Sequence, residues 1–216
     1  MSFYLKYRPR LVSELDLTFV RDTLQKAMKS GKLSHAYLMV GPRGAGKTSA
    51  ARILAKLVNC EKNQKGEINE PCLKCSACKA IEEGRSVDVM EIDAASHRGI
   101  DAIRELREKI GLAPAEGARK IYVIDEVHML TTEAFNALLK TLEEPPEHAQ
   151  FVLCTTEEHK VPETIVSRCV KISFTKASRD EVVRSLQKAV KGEKLKVDEK
   201  ALEELAGAVD GSFREG

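Results

Sequence analysis

Residues 41–48 read "GPRGAGKT" and fit the spacing G-x-x-x-x-G-K-[ST]. No other short stretch limits the fold as tightly. Gly41, Gly44 and Gly46 let the backbone bend until several N–H groups point at one phosphate. The cradle spans Gly41, Pro42, Arg43, Gly44, Ala45, Gly46, Lys47, Thr48 and Ser49. Such a loop needs a strand before it and a helix after it. Ala36–Val40 is a short apolar run, and Lys47–Leu57 carries apolar residues at helical spacing. A helix opening at Lys47 adds its positive end to the phosphate site. Lys47 is placed to reach the β- and γ-phosphates, and the Thr48 hydroxyl to ligate Mg²⁺. The plain alternative is a tight strand-to-helix turn ending in a surface lysine.

A second feature narrows the chemistry. "KIYVIDEVHML" is an apolar strand ending in Asp125-Glu126. Beside a phosphate loop, Asp125 suits Mg²⁺, directly or through water, and Glu126 suits polarising the attacking water. The reaction implied is in-line transfer of a γ-phosphoryl group to water. Alone, the pair would also fit a solvated acidic strand end. His128 reads as a satisfied polar side chain beside the site rather than a base.

The apolar runs Ala36–Val40, Val87–Ile92, Ile121–Ile124, Phe151–Cys154 and Val170–Ser173 are nearly continuous rather than alternating. That pattern suits parallel strands covered on both faces. Helical spacing lies between them over Lys47–Leu57, Ile100–Ile110 and Thr132–Leu142, the last closed by Pro145-Pro146. The expected architecture is α/β, a five-stranded parallel sheet sandwiched by helices. After Ser173 the strands stop. Ser178–Val190 and Asp198–Ala208 read as two charged amphipathic helices, and "DGSFREG" begins a further element. The division is a nucleotide-binding domain over 1–176 and an incomplete helical domain over 177–216.

Six cysteines remain. Cys60, Cys72, Cys75 and Cys78 crowd into nineteen residues, while Cys154 and Cys169 stand apart. Four thiolates are the number a structural Zn²⁺ takes. The C-x₂-C-x₂-C half folds a turn round the ion, and the long spacer brings Cys60 back from the end of the phosphate-loop helix. An iron–sulfur cluster or buried free thiols are the alternatives. An insertion over about 60–78 is too small for its own core, so metal must hold it. No apolar run approaches a membrane span, which leads to the expectation of a cytoplasmic chain without membrane contact. A net charge of +2 neither requires nor excludes nucleic acid.

"YLKYRP", "GPRGAGKT", the four cysteines, "EIDAASHRGID", "IYVIDEVHMLTTEAFNALLKTLEEPPEHAQFVLCTTE" and "VPETIVSRC" together resemble the gamma/tau subunits of the bacterial DNA polymerase III clamp loader, which are AAA+ ATPases. The resemblance covers nearly the whole chain. It implies an AAA+ P-loop NTPase fold with an inserted zinc knob and a helical lid, and the cofactors ATP, Mg²⁺ and Zn²⁺. It implies assembly with gamma/tau, delta and delta-prime subunits, and action on a sliding clamp and primer–template DNA. By the same resemblance Thr156 takes the sensor-1 position, with Thr155 beside it. Arg168 of "SRC" is the arginine finger toward a neighbour's ATP, and Arg214 is the sensor-2 arginine. Tyr7, Arg8 and Pro9 lie near the base, and Arg98 with the turn at Gly99 offers a DNA phosphate contact. The family carries a Gly-Gln pair near the adenine. Here that region reads "LVSELDLTFV", with Asp16-Leu17 nearest the place. The family continues for hundreds of residues past the lid, so the resemblance implies an N-terminal fragment without the collar domain. A delta-prime-like structural subunit with little hydrolysis is the alternative, and Lys47, Thr48 and Glu126 argue for the motor. A nucleic-acid-binding knob is disfavoured, because four lysines meet three glutamates between Glu61 and Ala80.

Overall fold

The structure is a computed structural model that describes residues 2–65, 68–97, 99, 103, 106 and 108–215. Five strands form one parallel sheet: β1 (Ala36–Val40), β2 (Val89–Asp93), β3 (Lys120–Asp125), β4 (Ala149–Thr155) and β5 (Val170–Ser173). Their order is β2-β3-β4-β1-β5. The chain leaves β1 for one edge of the sheet and later crosses to the other edge at β5. In open parallel sheets that reversal opens a crevice beyond the carboxyl ends of the strands. The phosphate loop follows β1, the acidic pair ends β3, and β4 lies between them.

Each central strand feeds two cores. Tyr37, Met39, Val123, Val152 and Cys154 pack with the helix Lys47–Asn59 on one face. Leu38, Tyr122, Ile124, Phe151 and Leu153 pack with the helix Thr132–Glu143 on the other. All seven residues of β4 are buried. Continuous apolar runs arise because both faces are covered. The edges depart from that expectation. In β5 only Ile172 is buried, since an edge strand has one covered face. The second strand opens at Val89, two residues later than the sequence suggested. Val87 is exposed, and the Asp88 carboxylate accepts backbone N–H groups from Ala115, Glu116 and Gly117 at 2.7–2.8 Å. Burial works against that charge, but the three donors hold its pKa below the ordinary value.

The helices after β5 span Arg179–Glu193 and Glu199–Ala208. Ser178 caps the first. Its hydroxyl accepts from Glu181 N, and the Glu181 carboxylate accepts from Ser178 N at 2.9 Å, a reciprocal capping box. Glu181 also accepts from Thr18 N at 3.0 Å, and Lys188 Nζ meets Asp16 Oδ1 at 2.6 Å. These contacts tie the helix to the N-terminal segment. Among the described residues four α-helices were not anticipated: Phe3–Lys6, Thr18–Lys29, Ser76–Glu82 and Glu163–Val166. Thr18–Lys29 had a signal, since Val20 and Leu24 are four apart and buried. Of the expected helix over 100–110, residues 103, 106 and 108–110 are helical. Arg98 lies outside the described residues. Among the described residues no helix is long and apolar enough to cross a membrane.

Candidate functional site

The phosphate loop is shaped by two close approaches. A Cβ on Gly41 would lie 2.1 Å from the Phe174 carbonyl oxygen, just after β5. Gly44 has φ +76°, and a Cβ there would lie 2.1 Å from Ser212 Oγ. Phe213 N donates to the Gly44 carbonyl at 3.2 Å. The C-terminal turn therefore rests directly on the loop. Gly46 precedes the helix Lys47–Asn59, whose first turn opens toward the crevice.

Lys47 lies across the loop and donates to the carbonyls of Gly41 and Pro42 at 2.7 and 2.9 Å. It is buried, and burial pushes its pKa below the ordinary lysine value against the pull of Cys154, Asp125 and Glu126. Thr48 Oγ1 donates to Asp125 Oδ2 at 3.1 Å. The hydroxyl and carboxylate expected to share Mg²⁺ are thus brought together from a helix start and a strand end. Glu126 follows at φ +48°, ψ +44°, in the left-handed region. A non-glycine residue there carries strain of about 1–3 kcal/mol, which surrounding contacts must hold. Thr156 Oγ1 donates to Glu126 Oε2 at 3.2 Å, and Arg43 Nε meets Glu126 Oε1 at 3.3 Å. His128 contacts Thr155 Oγ1 at 3.0 Å and Glu157 at 3.2 Å, as expected of a satisfied side chain.

A cleft of about 790 Å³ runs from this loop to the N-terminal segment. Tyr7, Arg8, Pro9, Arg43–Ser49, Asp125, Glu126 and Arg214 all line it, as do Asp16 and Leu17. Arg8 Nε donates to Ser49 Oγ at 2.9 Å, joining the N-terminal segment to the loop. Burial, then the neighbouring Arg52, lower the Arg8 pKa. Arg214 sits with its guanidinium 5.2 Å from the Tyr4 ring centre. Part of the lining was missed from the sequence: Leu15, Val20, Phe174, Val182, Leu186, Ala189 and Phe213 form an apolar wall. The amphipathic face of 178–190 was its one visible trace. Arg168 is not in the cleft. It donates to Thr164 O at 2.7 Å and pairs with Glu143 at 2.6 Å.

The sulfur atoms of Cys60, Cys72, Cys75 and Cys78 lie within 4.8 Å of one another. A tetrahedral Zn²⁺ with Zn–S of about 2.3 Å needs sulfurs about 3.8 Å apart. Backbone N–H groups also point at these sulfurs: Cys72 N at Cys60 Sγ, Lys74 N and Cys75 N at Cys72 Sγ, and Cys78 N at Cys75 Sγ, at 3.3–3.5 Å. Leu73 takes φ +56° to make the turn. The N–H groups of Lys74 and Cys75 lower the Cys72 pKa to about 6. Burial pushes the Cys78 thiol up, so the fit to zinc rests on four sulfurs gathered in one closed group.

A family model described as DNA polymerase III, delta subunit, matches residues 18–178. The chain belongs to this DNA polymerase III family. Its curated relatives are tau and gamma subunits. It is 50% identical over 215 residues to DNA polymerase III subunit tau of Bacillus subtilis, covering 99% of this chain and 38% of that protein. It is 44% identical to the Escherichia coli tau subunit, covering 97% and 32%. With the gamma subunit of Buchnera aphidicola subsp. Acyrthosiphon pisum the identity is 40%, covering 97% and 58%. The chain therefore spans about a third to under two thirds of the length of these relatives. Among solved structures, the RuvB Holliday junction branch migration motor of Thermotoga maritima matches with TM-score 0.69 at 18% identity, covering 99% of this chain and 63% of that one. That likeness shows a shared fold and nothing more. A gamma subunit-related protein of Thermotoga maritima matches with TM-score 0.54 at 26% identity, covering 86% and 57%.

Proposed function

We propose that the chain is the ATP-binding and ATP-hydrolysing part of a clamp-loader motor subunit. The observation that carries this reading is the meeting of Thr48 Oγ1 with Asp125 Oδ2 at 3.1 Å, beside a buried Lys47 and a strained Glu126. A phosphate loop alone would bind. A loop opposed by two carboxylates can also react.

The loop N–H groups and Lys47 hold the phosphates, and Lys47 balances their charge. Thr48 and Asp125 would hold Mg²⁺, which when bound neutralises charge on the phosphate oxygens. Glu126, steadied by Thr156, accepts a proton from water as its oxygen bonds to the γ-phosphorus. The bond to the bridging oxygen breaks, and ADP leaves. Arg214 approaches from the lid over 177–216, across the cleft from the domain over 1–176. The apolar wall suits a base at the end near Tyr7 and Leu17. Arg168, outside the cleft and half-exposed, acts on ATP of a neighbouring subunit. Partners are other gamma/tau, delta and delta-prime subunits, the sliding clamp and primer–template DNA, in the cytoplasm.

A delta-prime-like structural subunit is the second reading, favoured by the family model's delta description. Glu126→Gln decides between them. In an assembled complex the motor reading expects ATP binding to persist and hydrolysis to fall about 10²–10⁴-fold. Unchanged residual hydrolysis in Glu126→Gln would assign the chain to the structural role.

A further inference from the structure

The four-cysteine module has no part in the chemistry above, yet two of its carboxylates reach away from it. Glu70, two residues before Cys72, accepts from Val12 N at 2.9 Å with one oxygen and from Ser13 N at 2.8 Å with the other. Glu82 ends the module's helix Ser76–Glu82. It pairs with Lys56 Nζ at 2.5 Å and with Arg10 Nε at 3.2 Å. Lys56 is almost wholly buried, and it belongs to the helix that carries the phosphate loop.

All three N-terminal contacts fall on one short turn, Arg10 to Ser13. The flanks of that turn matter most. Before it, Tyr7, Arg8 and Pro9 line the cleft, and after it Leu15, Asp16 and Leu17 line it. A carboxylate bonded to two successive backbone N–H groups fixes both position and direction, because its charge strengthens both bonds. Without it, the turn is held by Arg10 and by Glu14, whose carboxylate accepts from Arg10 N at 2.7 Å. Among the described residues no such contact reaches the loop's phosphate end from the module.

We propose that the four-cysteine module is a brace for the base-binding wall: Glu70 and Glu82 fix the turn at Arg10–Ser13, and so position Tyr7–Pro9 and Leu15–Leu17 against the nucleotide. Glu70 is then a positioning residue that acts on the nucleoside end and not on the phosphates. The inference rests on the nucleotide reading of the cleft.

The test compares two ligands on the same chain: ATP, and inorganic tripolyphosphate, which lacks the base and ribose. Glu70→Ala loses both charge-assisted hydrogen bonds and should weaken ATP about tenfold or more, leaving tripolyphosphate unchanged. Glu70→Gln keeps one acceptor oxygen and should fall between. Lys79→Ala, an exposed change on the module's helix, should leave both ligands unchanged. Glu70→Ala binding ATP as the parent does would overturn the brace. Equal weakening of ATP and tripolyphosphate would overturn it too, by showing damage to the loop as a whole. A parent chain that binds neither ligand would instead refute the nucleotide reading.

Discussion

Gly44→Ala tests how closely the C-terminal turn and the phosphate loop are fitted. Two separate effects add at this position. Gly44 has φ +76°, and an L side chain in the left-handed region loses about 1–2 kcal/mol. The new methyl would also lie 2.1 Å from Ser212 Oγ and 3.1 Å from Ser212 Cβ. Ser212 is buried, so relief requires the turn to move, and forced overpacking costs about 1–3 kcal/mol. The single change should therefore destabilise by about 2–5 kcal/mol. Ser212→Gly removes both clashing atoms but leaves the backbone strain. In a double-mutant cycle, followed by urea unfolding, Ser212→Gly should recover about 1–3 kcal/mol of the Gly44→Ala loss. The turn also lies over the cleft through Phe213 and Arg214, so the same pair should recover ATP affinity in parallel. A cycle with no coupling would refute the packing of the turn on the loop.

Two other outcomes follow from the cysteine group and from Arg168. Metal analysis after gel filtration should give one zinc per chain, and Cys60→Ser should loosen residues 60–82 to hydrogen exchange while the sheet stays protected; finding iron with visible absorbance would contradict this. Arg168→Ala removes a surface ion pair with Glu143, itself worth little. ATP binding by the chain should persist, while hydrolysis in an assembled complex should fall by about 10³-fold or more; loss of binding by the lone chain would show that Arg168 acts on its own site.

The parts of the site built from adjacent residues were legible in the sequence. Gly41 to Thr48, the Asp125-Glu126 strand end and the C-x₂-C-x₂-C turn each depend on local backbone geometry. The five-stranded parallel sheet was also legible, because burial on both faces leaves continuous apolar runs. What was hidden is what distant segments do to one another. Ser212 against Gly44, Glu181 under Thr18 N, and Glu70 on Val12 and Ser13 involve side chains common on any surface. Asp88 looked like a residue inside a strand, and only its three backbone donors from 115–117 explain why the strand starts later. The apolar wall of the cleft was divided among four separate segments, of which only the amphipathic face of 178–190 showed a pattern.

Binding and turnover of ATP by the parent chain and by Lys47→Ala test the central claim most directly. Lys47 is buried over the loop, with its ammonium 2.7 Å from the Gly41 carbonyl. Removing one charged donor to phosphate should weaken Mg²⁺–ATP by about ten- to a hundredfold in a calorimetric titration. The fold should survive, because alanine suits a helix start. Tight, unchanged binding of Mg²⁺–ATP by Lys47→Ala would contradict the account, since no loop-based phosphate site could lose this lysine without loss of affinity.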